Sequence, residues 1–162
     1  MDKIAFLLAA MLVFLTACSS EQKEIEAYMD LVTKWNTEEF EIIKDYEEAY
    51  SDETTTKKEY LEILDKTLSR YPDFLKTAEA YRPQTEQLQT LHAIYTDSLR
   101  NYYESMVLDR AYGKPDQEDQ AEMDKKFSSY LEESAMLAEK FESELEKTAS
   151  MYNIELEWEE IQ

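Results

Sequence analysis

The residue types that carry most enzyme chemistry are scarce in this chain of 162 residues. It contains one cysteine, Cys18, and one histidine, His92. Nucleophilic catalysis needs a nucleophile beside an oriented base, zinc needs several Cys or His ligands, and a helical di-iron site needs Glu-x-x-His pairs from two helices. Position 89, three residues before the histidine, is Gln89. We therefore predict that the chain is not an enzyme and has no catalytic residues, no metal and no cofactor. We place His92 at the edge of an apolar helix face.

Carboxylates are abundant, with 37 Asp and Glu against 17 Lys and Arg and a formal net charge of −20. Glutamates on helices mostly form a solvated surface, so this charge by itself indicates no site. An acidic chain repels the phosphates of nucleic acids, and we predict no nucleic-acid partner. Because any acidic protein contains many carboxylate pairs, a carboxylate-based or metal-dependent enzyme of the envelope remains an alternative.

Cys18 stands at the end of an apolar N-terminal run. Residues 1–20 read MDKIAFLLAAMLVFLTACSS, with Lys3 near the start and apolar residues from Ile4 to Leu15. Twelve helical residues rise about 18 Å, which is too short for a hydrocarbon core of about 30 Å. A charged start, a short apolar core and small residues before a break form the secretory pattern. The residues at the break, Leu15-Thr16-Ala17-Cys18, resemble the lipobox of bacterial lipoproteins.

This resemblance implies a lipid anchor on Cys18. In bacterial lipoproteins the cysteine thiol is diacylglycerylated, the signal peptide is cut before it (here between Ala17 and Cys18), and the new amino group can be acylated. One acyl chain binds a membrane reversibly, whereas two or three on one residue make a stable anchor. The resemblance implies a signal peptide over 1–17 and a lipidated cysteine at the start of a tether over 18–24, which holds the chain at the extracytoplasmic face of the cell membrane. The rest of the chain, 25–162, we expect to be one helical domain. The alternatives are a plain secretory signal with a chance cysteine and a single-span anchor.

Apolar residues recur at helical spacing along the rest of the chain and predict four amphipathic helices. The first covers about 24–50, with its apolar face interrupted at Glu39 and Phe40, and the second runs from about 57 to Tyr81 with a kink at Pro72. The third covers about 84–112, and the fourth continues for about 35 residues to Asn153. The predicted core faces are Ile25, Tyr28, Val32, Trp35, Ile42 or Ile43, Tyr46 and Ala49; Leu61, Leu64, Leu68, Tyr71, Leu75 and Ala78; Leu88, Leu91, Tyr95, Leu99, Tyr102 and Met106; and Phe127, Tyr130 or Leu131, Ser134, Leu137 or Ala138, Phe141, Leu145, Thr148 and Met151 or Tyr152.

Capping and turn residues predict where these helices end. Thr56 is placed to cap the second helix and Pro83 to begin the third. The segment Gly113-Lys114-Pro115-Asp116 predicts a turn before the fourth helix, and Asn153 predicts a left-handed cap at its end. The alternation of apolar and acidic residues over 154–158 predicts an extended strap along the bundle. The alternatives for this segment are a frayed end and a partner-binding peptide.

Four helices with short connections pack as antiparallel neighbours. We therefore predict an all-α fold: an elongated antiparallel up-down bundle of about four helices with a short extended C-terminal tail. With no second cysteine an intrachain disulfide is impossible, so packing must stabilise the bundle. If the first helix leaves the membrane, the turn at Tyr81-Arg82-Pro83 returns to the membrane-proximal end.

A partner surface is predicted from the composition of residues 67–103. This stretch holds four acidic and four basic residues, and three of the four arginines of the chain. Arg and Tyr are enriched at protein interfaces. The candidate surface consists of Tyr71, Arg82, Tyr95, Arg100 and Tyr103. The alternative is that the tyrosines on the apolar faces are core residues with a hydrated hydroxyl.

The sequence therefore favours a membrane-anchored lipoprotein that acts as a non-enzymatic helical interaction or scaffold module with a protein partner in the cell envelope. Its alternatives are the carboxylate-based or metal-dependent enzyme and a carrier of apolar ligands, with Met and Tyr lining a cavity of the bundle.

Overall fold

The computed structural model describes the backbone of residues 2–112 and 120–154 and the side chains of residues 20–111, 122 and 124–154. The described backbone forms four α-helices: α1 (Asp2–Ser51), α2 (Lys57–Ala80), α3 (Glu86–Tyr112) and α4 (Gln120–Met151). The predicted all-α fold is confirmed. Ala17, Cys18, the predicted turn at 113–116 and the tail after Ile154 lie outside the residues whose side chains are described.

Consecutive helices run antiparallel, as shown by contacts at the two ends of the bundle. At one end the carboxylate of Glu24 in α1 accepts a hydrogen bond of 2.6 Å from the backbone N–H of Gln84, in the α2–α3 turn. At the other end Tyr46 of α1 and Tyr60 of α2 both donate to Asp109, near the end of α3. The 27 residues of α3 span about 40 Å, so the bundle is elongated.

The core face of α1 is the one that its apolar spacing predicts. Its buried residues are Ile25, Tyr28, Val32, Trp35, Ile42, Tyr46 and Ala49. Ile43 is half-buried, so Ile42 occupies the core position of the two. Within the residues that have described side chains, no helix carries an apolar stretch long enough to cross a bilayer.

The segment expected to be a polar tether, 18–24, lies within α1, and its side chains are described from Ser20 onward. Gln22 donates a side-chain hydrogen bond of 3.0 Å to Glu26 along the helix, and Tyr152 donates one of 3.0 Å to Glu21 from the end of α4. These contacts, together with Glu24 at the α2–α3 turn, make residues 20–24 part of the bundle.

The buried face of α2 includes two residues that the apolar pattern missed. Thr67 and Phe74 are buried, whereas Leu61 and Leu68 are only half-buried. The other four predicted positions of this helix are buried, so its core face is the predicted face extended toward Thr67 and Phe74. This wider buried face agrees with the contacts that α2 makes with both α1 and α3.

Helix ends agree with the capping residues, with one exception. Thr56 and Glu59 form a reciprocal capping box at the start of α2, and Pro72 lies inside that helix without ending it. α3 begins at Glu86, three residues after the predicted start at Pro83. Its first turn is capped by Thr85, whose hydroxyl accepts from the backbone N–H of Leu88 at 3.4 Å.

α4 packs mainly against α3. Ser98 donates to the carbonyl of Ser134 at 2.9 Å, and Ser134 donates to the carbonyl of Ser98 at 3.0 Å. The small serine side chains and their two hydrogen bonds to backbone carbonyls hold the two helices close together. The predicted seam is buried at Ser134, Phe141, Leu145 and Thr148, but Leu131 and Leu137 are only half-buried.

The end of α4 is a left-handed cap, as predicted. Asn153 has a φ of 54°. Its N–H donates to the carbonyl of Ser150 at 3.3 Å, and the N–H of Ile154 donates to that of Ala149 at 3.0 Å. This bonding pattern is a Schellman motif, which satisfies carbonyl groups at the end of the helix.

Candidate functional site

The five residues of the predicted partner surface do not form one surface. Tyr71 is fully buried and Tyr95 is 5% exposed. Tyr103 is half-buried, and its ring stacks on that of Tyr71 with centroids 5.8 Å apart. All three lie where α3 packs on its neighbours. Tyr71 and Tyr95 are core residues, and their hydroxyls donate inside the bundle to Glu39 and Asn36 respectively.

Arg82 and Arg100 are exposed and line one groove beside the α2–α3 turn. Each is engaged within the bundle. Arg100 pairs with Glu79 at 2.5 Å and with Asp97 at 2.6 Å. Arg82 donates to the carbonyl of Tyr81 at 2.7 Å and to that of Glu79. Both guanidinium groups therefore have partners within the chain.

His92 lies inside the core, at 6% exposure, and not at the edge of a helix face. Its Nε2 is 3.1 Å from the carbonyl oxygen of Ala78, which can only accept, so Nε2 carries the hydrogen. Its Nδ1 then accepts from the hydroxyl of Tyr28 at 3.3 Å. Burial lowers the pKa of His92. The imidazole is therefore a neutral structural group with both nitrogens occupied.

A cavity of about 230 Å³ lies between the middle parts of α1 and α4, above α3, and we call it the α1–α4 cleft. The two helices approach each other at their ends, through Tyr152 with Glu21 and through the rings of Tyr50 and Phe127, whose centroids are 6.1 Å apart. Three carboxylates and three aromatic rings line the cleft: Glu39, Glu47 and Glu142, with Tyr95, Tyr102 and Phe141. Acidic and aromatic side chains thus face the same cavity.

Glu39 is the carboxyl most affected by this environment. The hydroxyl of Tyr71 donates to its Oε1 at 2.5 Å, from the α2 side of the core. Burial raises the pKa of Glu39 from its ordinary 4.5 to about 7; the Tyr71 bond opposes this shift, and the charge of Glu47 adds to it. At neutral pH the carboxyl is therefore divided between its protonated and ionised forms.

The phenol groups at the cleft are fixed by hydrogen bonds to α1. Tyr95 donates to the side-chain oxygen of Asn36 at 3.0 Å, and Tyr102 donates to Glu47 at 2.9 Å. Burial raises the pKa of both phenols, so they stay protonated donors at physiological pH. These bonds hold the rings of α3 in place against α1.

The cleft contains three carboxyl groups, and one of them, Glu39, changes its charge near neutral pH. A carboxyl that titrates near neutrality can bind a cation or take part in general acid–base chemistry. The hydroxyls that contact the cleft carboxylates are phenols, which act here as hydrogen-bond donors. Across the described side chains, no group of three His, Cys, Asp or Glu is placed to hold a metal ion. The arrangement therefore brings carboxylates, phenol hydroxyls and a phenyl ring to one cavity.

Sequence reasoning did not select this cleft, although one signal pointed to it. Glu39 follows Trp35 by four residues and precedes Ile42 by three, so it occupies a core-facing position of α1. A glutamate in an apolar stripe indicates either a paired buried charge or a site.

Comparison of the chain with protein-family models, curated proteins and solved structures gives no match.

Proposed function

We propose that this chain is a bacterial lipoprotein whose helical bundle acts as a non-enzymatic interaction module at the extracytoplasmic face of the cell membrane. The observation that carries the proposal is the sequence Leu15-Thr16-Ala17-Cys18, in which the only cysteine follows a short apolar run. Lipid on Cys18 would anchor the mature chain.

Two features of the bundle favour a binding role over catalysis. The single histidine, His92, has both ring nitrogens in hydrogen bonds inside the core, so neither is free to activate a nucleophile. The α1–α4 cleft is lined by carboxylates and aromatic rings, which suit recognition of a cation better than binding of an apolar ligand. A partner carrying positive charge is therefore favoured over the apolar-ligand carrier.

The anchor is tested by expressing the full chain in a bacterium supplied with labelled palmitate. We expect the label on the protein and the protein in the membrane fraction. Cys18→Ser should lose the label and keep residues 1–17, whereas the neighbouring Ser20→Ala should behave like the unaltered chain. An unlabelled chain in the soluble fraction, or label on the Cys18→Ser variant, would contradict the proposal.

A further inference from the structure

We propose that the bundle stands on the bilayer through one of its ends, and that this end lies at the lipid headgroups. We call it the anchored end; it consists of residues 20–24 of α1, the α2–α3 turn at 81–85 and residues 152–154 after α4. The proposal names the surface that faces the membrane, and it rests on the proposed function because it requires lipid on Cys18.

Hydrogen bonds join the beginning of α1 to the other two parts of the anchored end. Glu21 accepts a hydrogen bond of 3.0 Å from the hydroxyl of Tyr152. Glu24 accepts from the backbone N–H of Gln84 at 2.6 Å and from that of Thr85 at 3.3 Å. Residues 20–24 are therefore fixed to the α2–α3 turn and to the end of α4, and they leave little free chain between the bundle and the lipid.

The length of chain between the lipid and the bundle sets the distance from the bilayer. Cys18 precedes Glu21 by three residues, which span at most about 11 Å even when fully extended. Because the acyl chains enter the hydrocarbon core, Cys18 lies at the boundary of that core, and the anchored end lies at the headgroups. The end of α1 at Ser51 is about 50 Å farther along the helix axis.

The sides of the bundle do not favour lying flat on a bilayer. A helix that lies on a membrane needs a continuous apolar face. Among the described residues the exposed large apolar side chains are Tyr50, Tyr130, Met136 and Met151. Tyr50 and Met151 lie at opposite ends of the bundle, and Tyr130 and Met136 are separated by about 240° of rotation around α4. The net charge of −20 also repels the side surfaces from anionic lipids.

The side chains of the anchored end suit the headgroup layer. Lys23 and Arg82 are exposed there, and the rings of Tyr81 and Tyr152 are half-buried. Lysine, arginine and tyrosine are typical of the boundary between membrane and water. The sequence that follows Ile154, ELEWEEIQ, is acidic. The anchor, and not attraction between charges, must therefore hold this end at the bilayer.

The test uses the full chain purified with its lipid from bacterial membranes and placed in vesicles of phosphatidylcholine, with or without phosphatidylglycerol. Because lipid occupies the thiol of Cys18, a cysteine introduced elsewhere is the target of a thiol-reactive fluorophore. Gln84→Cys marks the anchored end, Glu38→Cys the middle of α1 and Glu53→Cys the far end, and all three positions are exposed. A nitroxide on the lipid headgroups quenches fluorophores at short range. Quenching should be at least about threefold stronger at position 84 than at position 38 or 53, because the helix rise carries those positions away from the bilayer.

A flexible insertion tests whether the short connection places this end. Six Gly and Ser residues inserted after Ser20 add a mean length of about 13 Å and should lower the quenching at position 84 by about half. The same insertion after Glu53 should leave that quenching unchanged. Circular dichroism checks folding, and the three labelled positions decide the matter if the first insertion does not fold.

Equal quenching at positions 84 and 53, stronger quenching at 53, or no effect of the insertion after Ser20 would overturn the proposal. A fluorophore that reacts with the unaltered chain would show a free thiol on Cys18, which is failure of the anchor itself. The two failures are therefore distinguishable.

Discussion

Replacing Glu39 with glutamine should stabilise the bundle more at high pH than at low pH. Burial raises the pKa of this carboxyl from 4.5 to about 7, and each pKa unit corresponds to about 1.36 kcal/mol. Between these two values the folded chain holds a proton that the unfolded chain has released. Stability therefore falls as pH rises through this window, to a total cost of about 3 kcal/mol above pH 7.

The quantity to measure is the change in unfolding free energy caused by the substitution, compared at two pH values. Other effects of the substitution are largely the same at both pH values and cancel. At pH 5.5 the unfolded carboxyl is already mostly ionised, so about 1 kcal/mol of the cost is present; at pH 8 nearly all of it is present. Glu39→Gln should therefore gain about 2 kcal/mol more, relative to the unaltered chain, at pH 8 than at pH 5.5. The glutamine oxygen can still accept the hydrogen bond from Tyr71.

Urea unfolding followed by circular dichroism, in buffers free of amines, measures both free energies. Glu38→Gln is the matched control, because it removes a charge from the adjacent, exposed position of α1. The control should show a much smaller pH-dependent difference. If Glu39→Gln and the unaltered chain keep the same difference in unfolding free energy from pH 5.5 to 8, Glu39 is not buried as an acid and the reasoning about the cleft is refuted.

Three further predictions concern the core and the end of α4. Leu145→Ala should destabilise the fold by about 3 kcal/mol and Leu137→Ala by less than half of that. The reason is that Leu145 is 2% exposed, whereas Leu137 is half-buried. Equal losses of unfolding free energy in urea would show that α4 has a different core face. Burial lowers the pKa of His92, so the unfolded chain takes up the proton first and the unaltered chain loses stability as pH falls from 7.5 to 5.5. His92→Gln should remove this loss. An unchanged dependence of the unfolding free energy on pH would contradict a buried neutral imidazole. Asn153→Gly should raise the melting temperature slightly and Asn153→Ala should lower it, because the φ of 54° favours glycine; the opposite order would be evidence against the left-handed cap.

Periodicity was sufficient to predict the helices and most of their buried faces. The face of α1 from Ile25 to Ala49 is a pattern of apolar residues interrupted only near Glu39, and the predicted apolar positions on both sides of the interruption are buried. In α2 the same method favoured Leu61 and Leu68 over Thr67 and Phe74. The error arises because this helix packs on two neighbours, and a single stripe cannot represent two contact directions.

The cleft could be predicted only in part. The placement of Glu39 on the apolar face of α1 is visible in the sequence, but the cavity beside it depends on how α4 is positioned. The reciprocal bonds of Ser98 and Ser134 hold α4 against α3, and a cavity remains between α4 and the side of α1 that carries Glu39. Nothing in the spacing of apolar residues says which neighbour a helix will approach more closely. Tyr71 is buried where α2 packs on α1 and α3, and Tyr95 is buried where α3 packs on α1 and α4.

The intact mass of the protein purified from bacterial membranes tests the lipid anchor most directly. We expect a chain that begins at Cys18, lacks residues 1–17 and carries a diacylglyceryl group on the cysteine, with or without a third acyl chain on its amino group. A full-length chain of 162 residues with an unmodified thiol would contradict both the proposed location and the proposed role at the membrane.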